Sequence, residues 1–577
     1  MVASTHWIAS GTAMGILERG GNAFDAAAAA GFVLHLAEPH LNGPGGDLTA
    51  LIRPGSNQRI AVLCGQGVAP RRASIDHLRS LGLHLVPGSG LLAACVPGAV
   101  DAWLLLLRDH GSLELAEVLA PALQYARGGC PLVPQAVAMI SRLRAWFLQE
   151  WPTSAAAWLP NGEPPPAWSP FPRPALAATY ERLLAEAQAG GHSREQRIEA
   201  ARRAWREGFV AEAIDRFCAG TAVNDETGER QAALLEGADL AGWQASWEQP
   251  LSLGYGDWQV AKCGPWSQGP VLLQQLALLR GFVLDDLPPD GPDFVHLLTE
   301  AGKLAFADRE AWYGDPARSQ VPIESLLGEA YNASRRWLIS DRASLELRPG
   351  APLGQAPRLG RAVSQAAAGI GSGEPTCATP PGDTCHVAVV DRWGNMVAAT
   401  PSGGWLQSSP MIPELGFCLG TRAQMFRLEE GLPSALAPGR RPLTTLSPTL
   451  AWRGEEEALA FGTPGGDQQD QWSLQFFLKL VHHGMGLQQA IDSPAWHSEH
   501  APSSFHPRQA RPGHLALESR LPEPTQAELQ RRGHRVEIRP PWSEGRLCAC
   551  ALNRTGGTLL LRAAANPRLM QNYAVGR

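Results

Sequence analysis

Residues 384–391 read Thr384-Cys385-His386-Val387-Ala388-Val389-Val390-Asp391, an apolar run typical of a β-strand. A turn sequence, Arg392-Trp393-Gly394-Asn395, and a second apolar run, Met396-Val397-Ala398-Ala399-Thr400, come directly after it. Two apolar runs joined by a short turn predict a β-hairpin. Thr384 therefore opens a strand. Threonine is common at strand starts, so this position alone does not indicate a function.

The sequence on the amino-terminal side of this hairpin has a different character. Residues 351–383 are dense in Ala, Gly, Pro, Ser and Gln and have no hydrophobic periodicity, which predicts a functional loop or a linker. Residues 113–345 are mostly helical in pattern, and residues 447–462 predict a further hairpin. The change of pattern predicts a large segment, residues 1–383, that ends in a flexible linker, and a small segment, residues 384–577.

Composition sets the broad class of the protein. The chain has 577 residues, a formal net charge of −6, 18% charged residues and 44% hydrophobic residues, as expected for a large globular protein. No basic surface calls for nucleic acid or an anionic membrane. The longest apolar stretch, Ala26 to Leu36, is too short to span a bilayer and lacks the flanks of a signal peptide. We therefore expect a cytoplasmic protein unless a leader is missing, with its ten sparse cysteines reduced.

Several common chemistries have no sequence support. The chain contains no G-x-S-x-G, no G-x-G-x-x-G and no Walker sequence. His497-Ser498-Glu499-His500 and Cys548-Ala549-Cys550 could each supply metal ligands, but neither comes with a matching second pair. We therefore predict no metal and no cofactor.

Thr384 offers one chemistry that the rest of the chain can support. A threonine hydroxyl is a weak nucleophile and needs a base within hydrogen-bond reach. If the chain were cut before Thr384, the new α-amino group, with a pKa of about 7.7–8, would supply that base. Two further short runs join Thr384 as candidate site residues: Ser402-Gly403-Gly404 and Gly465-Gly466.

Over nearly its whole length the sequence resembles the γ-glutamyltransferase (glutathione hydrolase) family of N-terminal-nucleophile hydrolases. The first matching stretches are 1–4, 20–27, 38–40, 43–46, 96–98, 300–309 and 314–316. The decisive ones are Thr384-Cys385-His386, the run Arg441-Pro442-Leu443-Thr444-Thr445-Leu446-Ser447-Pro448-Thr449, and Gly462-Thr463-Pro464-Gly465-Gly466. The ending Asn566-Pro567-Arg568 is similar to the D-P-R of the family.

The resemblance implies a fold and a catalytic half-site. The fold would be α+β, a four-layer αββα sandwich whose chain cuts itself at Asp383–Thr384 into two intertwined chains within one body. Thr384 would then form an acyl-enzyme through its side-chain oxygen. Ser402 takes the place of a second threonine that activates the nucleophile. Gly465 and Gly466 match the glycine pair whose N–H groups form the oxyanion hole.

The substrate half of the family pattern is altered. Thr444 and Thr445 replace the serine pair that holds a substrate carboxylate, so their hydroxyls survive. Gln66 stands where the family has the carboxylate-binding arginine, and Met425 stands where it has the aspartate that binds the substrate ammonium. Arg422 is the nearby residue that could compensate by reaching a carboxylate from the other side. The resemblance thus implies weaker recognition of a γ-glutamyl group.

Three functions remain open at this stage. The first is a self-processing γ-glutamyltransferase-like enzyme that cleaves an amide through a threonyl acyl-enzyme, by hydrolysis or by transfer to an amine. The second is an amidohydrolase on a small carboxylated amide or another acyl amide, with little γ-glutamyl activity. The third, from another class, is a binding protein that never cuts itself. The expected partners are a small-molecule amide and the two chains of one precursor, and a homodimer of such pairs is left open.

Overall fold

The computed structural model describes residues 1–56, 59–367, 383–568 and 572–577. The helices of these residues are α1 (Trp7–Glu18), α2 (Ala23–Ala37), α3 (Ile75–Ser80), α4 (Ala99–His110), α5 (Leu115–Gly128), α6 (Pro134–Gln149), α7 (Pro152–Trp158), α8 (Pro174–Ala189), α9 (Arg194–Arg206), α10 (Phe209–Gly220), α11 (Gly237–Ala241), α12 (Pro270–Leu279), α13 (Pro292–Trp312), α14 (Ile323–Leu327), α15 (Glu329–Arg336), α16 (Arg361–Ala367), α17 (Gln469–His483), α18 (Leu487–Asp492) and α19 (Glu523–Arg531).

The strands of the same residues are β1 (Val2–Ser4), β2 (Asp47–Arg53), β3 (Ala61–Gly65), β4 (Cys130–Pro131), β5 (Pro170–Phe171), β6 (Ala222–Asn224), β7 (Arg230–Ala232), β8 (Ser246–Glu248), β9 (Leu251–Tyr255), β10 (Trp258–Lys262), β11 (Val387–Val390), β12 (Met396–Ser402), β13 (Thr449–Arg453), β14 (Glu457–Gly462), β15 (Trp496–His497), β16 (His514–Glu518), β17 (Arg535–Arg539), β18 (Cys548–Thr555), β19 (Thr558–Ala565) and β20 (Tyr573–Val575).

Two large sheets form the centre of the fold. A seven-stranded sheet has the order β20-β1-β11-β12-β2-β3-β8, and a six-stranded sheet has the order β19-β18-β14-β13-β10-β9. Each sheet contains strands from before and from after Asp383, so residues 1–383 and 384–577 build each sheet together. A cut at this bond would therefore leave two chains joined by backbone hydrogen bonds.

The hairpin predicted from residue 384 onward is confirmed. Strands β11 and β12 pair antiparallel, with Val387 opposite Ala399 and Val390 opposite Met396. Its first strand is shorter than the apolar run, since regular pairing begins at Val387. The hairpin predicted within 447–462 is confirmed by the antiparallel pairing of β13 with β14.

Alternation along β11 explains the layer order. Val387 and Val389 pack in an apolar cluster with helices α1, α2 and α4, on one face of the seven-stranded sheet. Ala388 and Val390 point the other way, into a cluster that also contains Leu450 and other residues of the six-stranded sheet. Helices α12, α13 and α17 cover the outer face of that second sheet. The order is helix, sheet, sheet, helix, which confirms the expected αββα sandwich.

The linker predicted over 351–383 lies only partly within the described residues. Helix α16 occupies residues 361–367 of it. Regular structure there was not expected from the composition; the run is rich in Ala, Gln and Arg, which favour helix.

Two further observations concern the described residues as a set. None of their helices combines the length and the apolar character that a membrane span requires. The nine cysteines among them are free and buried.

Candidate active site

Thr384 and Ser402 lie side by side because of the hairpin register. Thr384 precedes β11 and makes an isolated antiparallel bridge with Ser402, the last residue of β12. Both residues are buried, and Thr384 Oγ1 donates a hydrogen bond to Ser402 Oγ at 3.3 Å. The structure thus brings together the two hydroxyls that the sequence singled out.

The carbonyl group of Asp383 belongs to the peptide bond that precedes Thr384, and two donors hold its oxygen. Ser402 Oγ donates to it at 3.0 Å, and Trp405 Nε1 donates to it at 2.8 Å. The same indole N–H also reaches the carbonyl oxygen of Leu41 at 2.8 Å. Two donors on one carbonyl oxygen polarise the C=O bond and favour attack at its carbon.

The side-chain carboxylate of Asp383 is held by two different groups. Gly465 donates its backbone N–H to Asp383 Oδ1 at 2.8 Å. Asp383 Oδ2 forms an ion pair with the guanidinium of Arg546. A predicted oxyanion-hole glycine therefore contacts the acidic side chain next to the predicted cleavage bond.

The Gly465–Gly466 turn depends on glycine. Gly465 has φ 121°, and a Cβ there would lie 2.3 Å from the ring of Trp472. Gly466 has φ 53°, and its Cβ would lie 3.0 Å from the ring of Phe505. Side chains would be strained in this backbone, so glycine is what lets the chain make the turn that brings the Gly465 N–H to Asp383.

Glu38 supports the strand that carries Thr384. It caps the end of α2, and its carboxylate accepts hydrogen bonds from Thr5 Oγ1 at 2.6 Å and Cys385 Sγ at 3.1 Å. Burial raises the pKa of the Glu38 carboxyl from 4.5 to about 7, although the two donors and the charge of Arg546 oppose the shift. A titratable carboxyl group thus contacts Cys385, the residue that follows the predicted nucleophile.

A cavity of about 430 Å³ lies beside this arrangement. Trp405 lines it and links it to the Asp383 carbonyl, and Gln468 and Phe505 line it next to the glycine turn. Its walls also carry charge of both signs, including Lys303 and Glu499. Its size suits a small-molecule ligand.

The predicted substrate-binding residues are spread more widely. Thr444 and Met425 line a second, much smaller cavity together with Arg427. Thr445 is buried, and its Oγ1 has no hydrogen-bond partner among the described residues. Gln66 is also buried, and both polar atoms of its amide lack such a partner within the described chain. The structure does not place these residues in direct contact with Thr384.

Arg422 already has a partner. Its Nε and Nη2 each donate to a carboxylate oxygen of Asp47 at 2.8 Å, and both side chains are buried. Because this pair satisfies the guanidinium in two bonds, Arg422 is engaged within the protein. No local motif signals this ion pair, since the partners are 375 positions apart.

Possible metal ligands are engaged in contacts of their own. His497 contacts Glu544 at 2.5 Å and Glu499 at 3.2 Å. Another group of buried side chains, His296, Glu300 and His534, brings its ligand atoms within 4.8 Å of one another. The imidazoles of that group share a contact of 2.8 Å, and its carboxylate pairs with Lys303 and Arg348.

Sequence reasoning missed three residues around Thr384 as functional candidates. They are Trp405, Arg546 and Glu38, the last through its contact with Cys385. Trp405 directly follows the Ser402-Gly403-Gly404 run. Its position beside this glycine turn is the sequence signal that could have identified it as a site residue. Arg546 had no such signal, because it reaches the site from the far end of the small segment.

The layer order and the threonine at the head of the hairpin define a class. This sandwich is the fold of the N-terminal-nucleophile hydrolases. The sequence model of the Gamma-glutamyltranspeptidase family matches residues 9–576, and the chain belongs to that family, whose members are hydrolases and acyltransferases.

Relatives named for different activities match the chain almost end to end. The acylase ACY 1 proenzyme of Pseudomonas sp. (strain SE83) is 30% identical, covering 98% of this chain and 93% of the relative. The oxamate amidohydrolase proenzyme of Klebsiella pneumoniae is also 30% identical, covering 98% and 97%.

Solved structures agree with this assignment. The structure of LmbA2991HD has a TM-score of 0.93 and 54% identity, covering 100% of this chain and 98% of that one. The cephalosporin acylase from Bacillus halodurans has a TM-score of 0.80 and 26% identity, covering 99% and 94%. Since the names of the relatives differ in substrate, the family alone does not fix the activity.

Proposed function

We propose that this protein is a self-processing amide hydrolase that cuts its own chain at Asp383–Thr384 and then uses Thr384 as its nucleophile. The observation that carries the proposal is the setting of one peptide bond. Its carbonyl oxygen accepts hydrogen bonds from Ser402 and Trp405, while the hydroxyl that follows it is bonded to Ser402.

Maturation would begin with attack by Thr384 Oγ1 on the carbonyl carbon of Asp383. The C–N bond breaks, an ester forms to the threonine oxygen, and the hydroxyl proton passes to the departing nitrogen. Water then hydrolyses the ester, which leaves a new carboxylate on Asp383 and a free α-amino group on Thr384. Ser402 is placed to accept from the nucleophile and to donate to the carbonyl oxygen in the same arrangement.

Turnover would use the same oxygen with a new base. The α-amino group, with a pKa of about 7.7–8, takes the proton of the Thr384 hydroxyl near neutral pH. Attack on an amide substrate gives an acyl-enzyme and releases an amine, and Gly465 and Gly466 face the developing oxyanion. Water then releases the acyl group; an amine acceptor in its place would make the reaction a transfer.

The substrate we propose is a small carboxylated amide rather than a γ-glutamyl compound. Gln66 offers neutral hydrogen bonds where the family has a guanidinium, and Met425 offers no charge for an ammonium. The acylase and amidohydrolase relatives support this choice, because they are proteins of the same family that are named for other activities.

The first test is the mass and the amino terminus of the purified protein. We expect two bands on a denaturing gel and a small chain that begins Thr-Cys-His-Val. Thr384→Ala should give one full-length band and no turnover, because both steps need the same oxygen. A different amino terminus, or an active uncut protein, would show the proposal to be wrong; an inactive single band in the unsubstituted protein would favour a binding protein.

A further inference from the structure

The Asp383 side chain marks a two-point site for a carboxyl group. One oxygen accepts the N–H of Gly465 at 2.8 Å, and the other pairs with Arg546. The peptide on the carboxyl side of Asp383 is the bond that we propose to be cut. The groups that hold this carboxylate therefore lie next to the nucleophile.

Arg546 depends on this carboxylate. Its side chain is only 15% exposed, and its guanidinium forms an ion pair with the Asp383 carboxylate. Burial lowers the pKa of the Arg546 guanidinium, and the charge of Glu38 opposes this shift. A largely buried cation is costly without an anion bonded to it, so another anion would be favoured wherever Asp383 withdraws.

Cleavage would release Asp383 from Thr384. It becomes the last residue of the large chain and is no longer tied to Thr384 by a peptide bond. We propose that in the matured enzyme Arg546 binds a free carboxylate of the substrate's acyl group, while the N–H of Gly465 holds the oxygen of the carbonyl under attack. This inference rests on the proposed function, and it assigns to Arg546 the cation role that Gln66 has lost.

The geometry limits the length of the acyl group. Gly465 and Arg546 contact the two oxygens of one carboxyl group, so their binding atoms converge within the width of that group. A substrate that replaces Asp383 must place its carbonyl oxygen and its free carboxylate about as close together. Amides of short dicarboxylic acids fit this requirement better than γ-glutamyl amides, in which three carbon atoms separate the carboxylate from the scissile carbonyl.

A series of p-nitroanilides tests the inference on the matured full-length protein. The acyl groups are those of malonic, succinic and glutaric acid, each with a free carboxylate, and of acetic acid as the uncharged reference. We expect kcat/KM to be at least tenfold higher for the malonic than for the acetic anilide and to fall from malonic to glutaric. Equal values for the malonic and acetic compounds would overturn the inference.

Variants then assign the preference to Arg546. Arg546→Gln should lower the malonic-to-acetic ratio of kcat/KM at least tenfold, mainly through KM, and Arg546→Lys should restore part of it. Arg453→Gln, which removes an exposed arginine from its pair with Glu457, serves as the matched control and should leave the ratio unchanged. An unchanged ratio in Arg546→Gln would mean that this residue only holds the precursor.

Arg546→Gln also removes the partner of Asp383, so inhibition of the unsubstituted enzyme provides a second measurement. We expect malonate to inhibit the matured enzyme at least tenfold more tightly than neutral malonamide, and equal inhibition would refute a carboxylate site. Failure of the proposed function itself looks different, since an uncut chain or a protein inactive on every anilide would remove both proposals together.

Discussion

At the scale of single residues, Trp405 has a more direct contact with the proposed cleavage bond than most of the residues that the family pattern singles out. Its indole N–H lies 2.8 Å from the Asp383 carbonyl oxygen, which Ser402 also contacts. A second bond from the same N–H, to Leu41, fixes the plane of the ring. The indole is therefore placed to stabilise the oxyanion that would form in the proposed self-cleavage.

Trp405→Phe should slow self-cleavage by about 10²-fold, the lower end of what loss of one oxyanion-hole donor costs. The ring and most of its packing remain, so the N–H is the main loss. The rate is read from the appearance of the two chains on a denaturing gel over time. Trp158→Phe is the matched control, because Trp158 is buried and its Nε1 has no partner in the described chain. Equal rates in the two variants would remove Trp405 from the mechanism.

Arg422 was predicted to bind substrate, and its ion pair with Asp47 leads to a different expectation. Removing one partner of a buried pair leaves the other charge uncompensated, which costs about 3–5 kcal/mol. Arg422→Ala should therefore lower the free energy of unfolding by that amount, measured by urea denaturation.

The double variant Asp47→Asn/Arg422→Gln is the control, since it removes both charges and should recover much of the loss. If Arg422→Ala instead keeps its stability and raises KM for a carboxylated amide, the residue serves the substrate as the sequence suggested.

The sequence allowed prediction of those site residues that stand in local motifs. Thr384, Ser402 and the Gly465–Gly466 pair each belong to a short run whose spacing the family shares. Asp47 and Arg546 could not be found in this way. Each acts through a partner far away in the chain, and a pairing of that kind depends on the folded path rather than on neighbouring residues.

At the scale of elements, the end of α2 and the start of β11 are joined by a carboxyl group. Glu38 closes α2 and accepts hydrogen bonds from Thr5 and Cys385, so the helix end, the first strand and the nucleophile strand meet there. The capping box at Asn22 fixes the other end of the same helix. The position of Thr384 thus depends on a helix as well as on its own hairpin.

This carboxyl group predicts a pH dependence of stability. With a pKa of about 7 in the folded protein and 4.5 as its ordinary value, Glu38 holds its proton more tightly when folded. Its contribution to the free energy of unfolding is therefore complete below pH 4.5 and is lost as the pH rises through 7. The difference between the two limits is on the order of 3 kcal/mol.

Glu38→Gln removes this titration. We expect the Tm of the variant, relative to that of the unsubstituted protein, to rise between pH 5 and pH 8. Glu414→Gln, which changes an exposed carboxylate, should show no such trend. A relative Tm that is flat or falls with pH for Glu38→Gln would contradict the assignment.

Hairpins could be predicted from apolar runs joined by short turns, but their assembly into sheets could not. The runs at β11–β12 and β13–β14 are local patterns with short turns, which sequence periodicity detects. The order of the seven-stranded sheet places β1 between β20 and β11, so it pairs the two ends of the chain. Such long-range order was available only through the resemblance to a family.

At the scale of the whole molecule, the two segments share both sheets and the site between them. Thr384 and Gly465 belong to the small segment, whereas Glu38 and Gln66 belong to the large one. The small segment holds the catalytic half of the family pattern together with Met425, and the large segment holds Gln66, where the family has a guanidinium. Both segments therefore contribute to the substrate half of the site.

The last prediction is that γ-glutamyl compounds are poor substrates. Charge-assisted hydrogen bonds contribute roughly 1.5–3 kcal/mol each, and the replacements at Gln66 and Met425 remove two of them. A loss on the order of 3–6 kcal/mol corresponds to roughly 10²–10⁴ in specificity. We expect kcat/KM of the matured protein for glutathione and for a γ-glutamyl anilide to fall well below about 10⁴ M⁻¹s⁻¹, the lower end for ordinary enzymes. Values at or above that level would mean that other residues rebuild the glutamate site, because neither a neutral amide nor a thioether can pair with the two charges of that substrate.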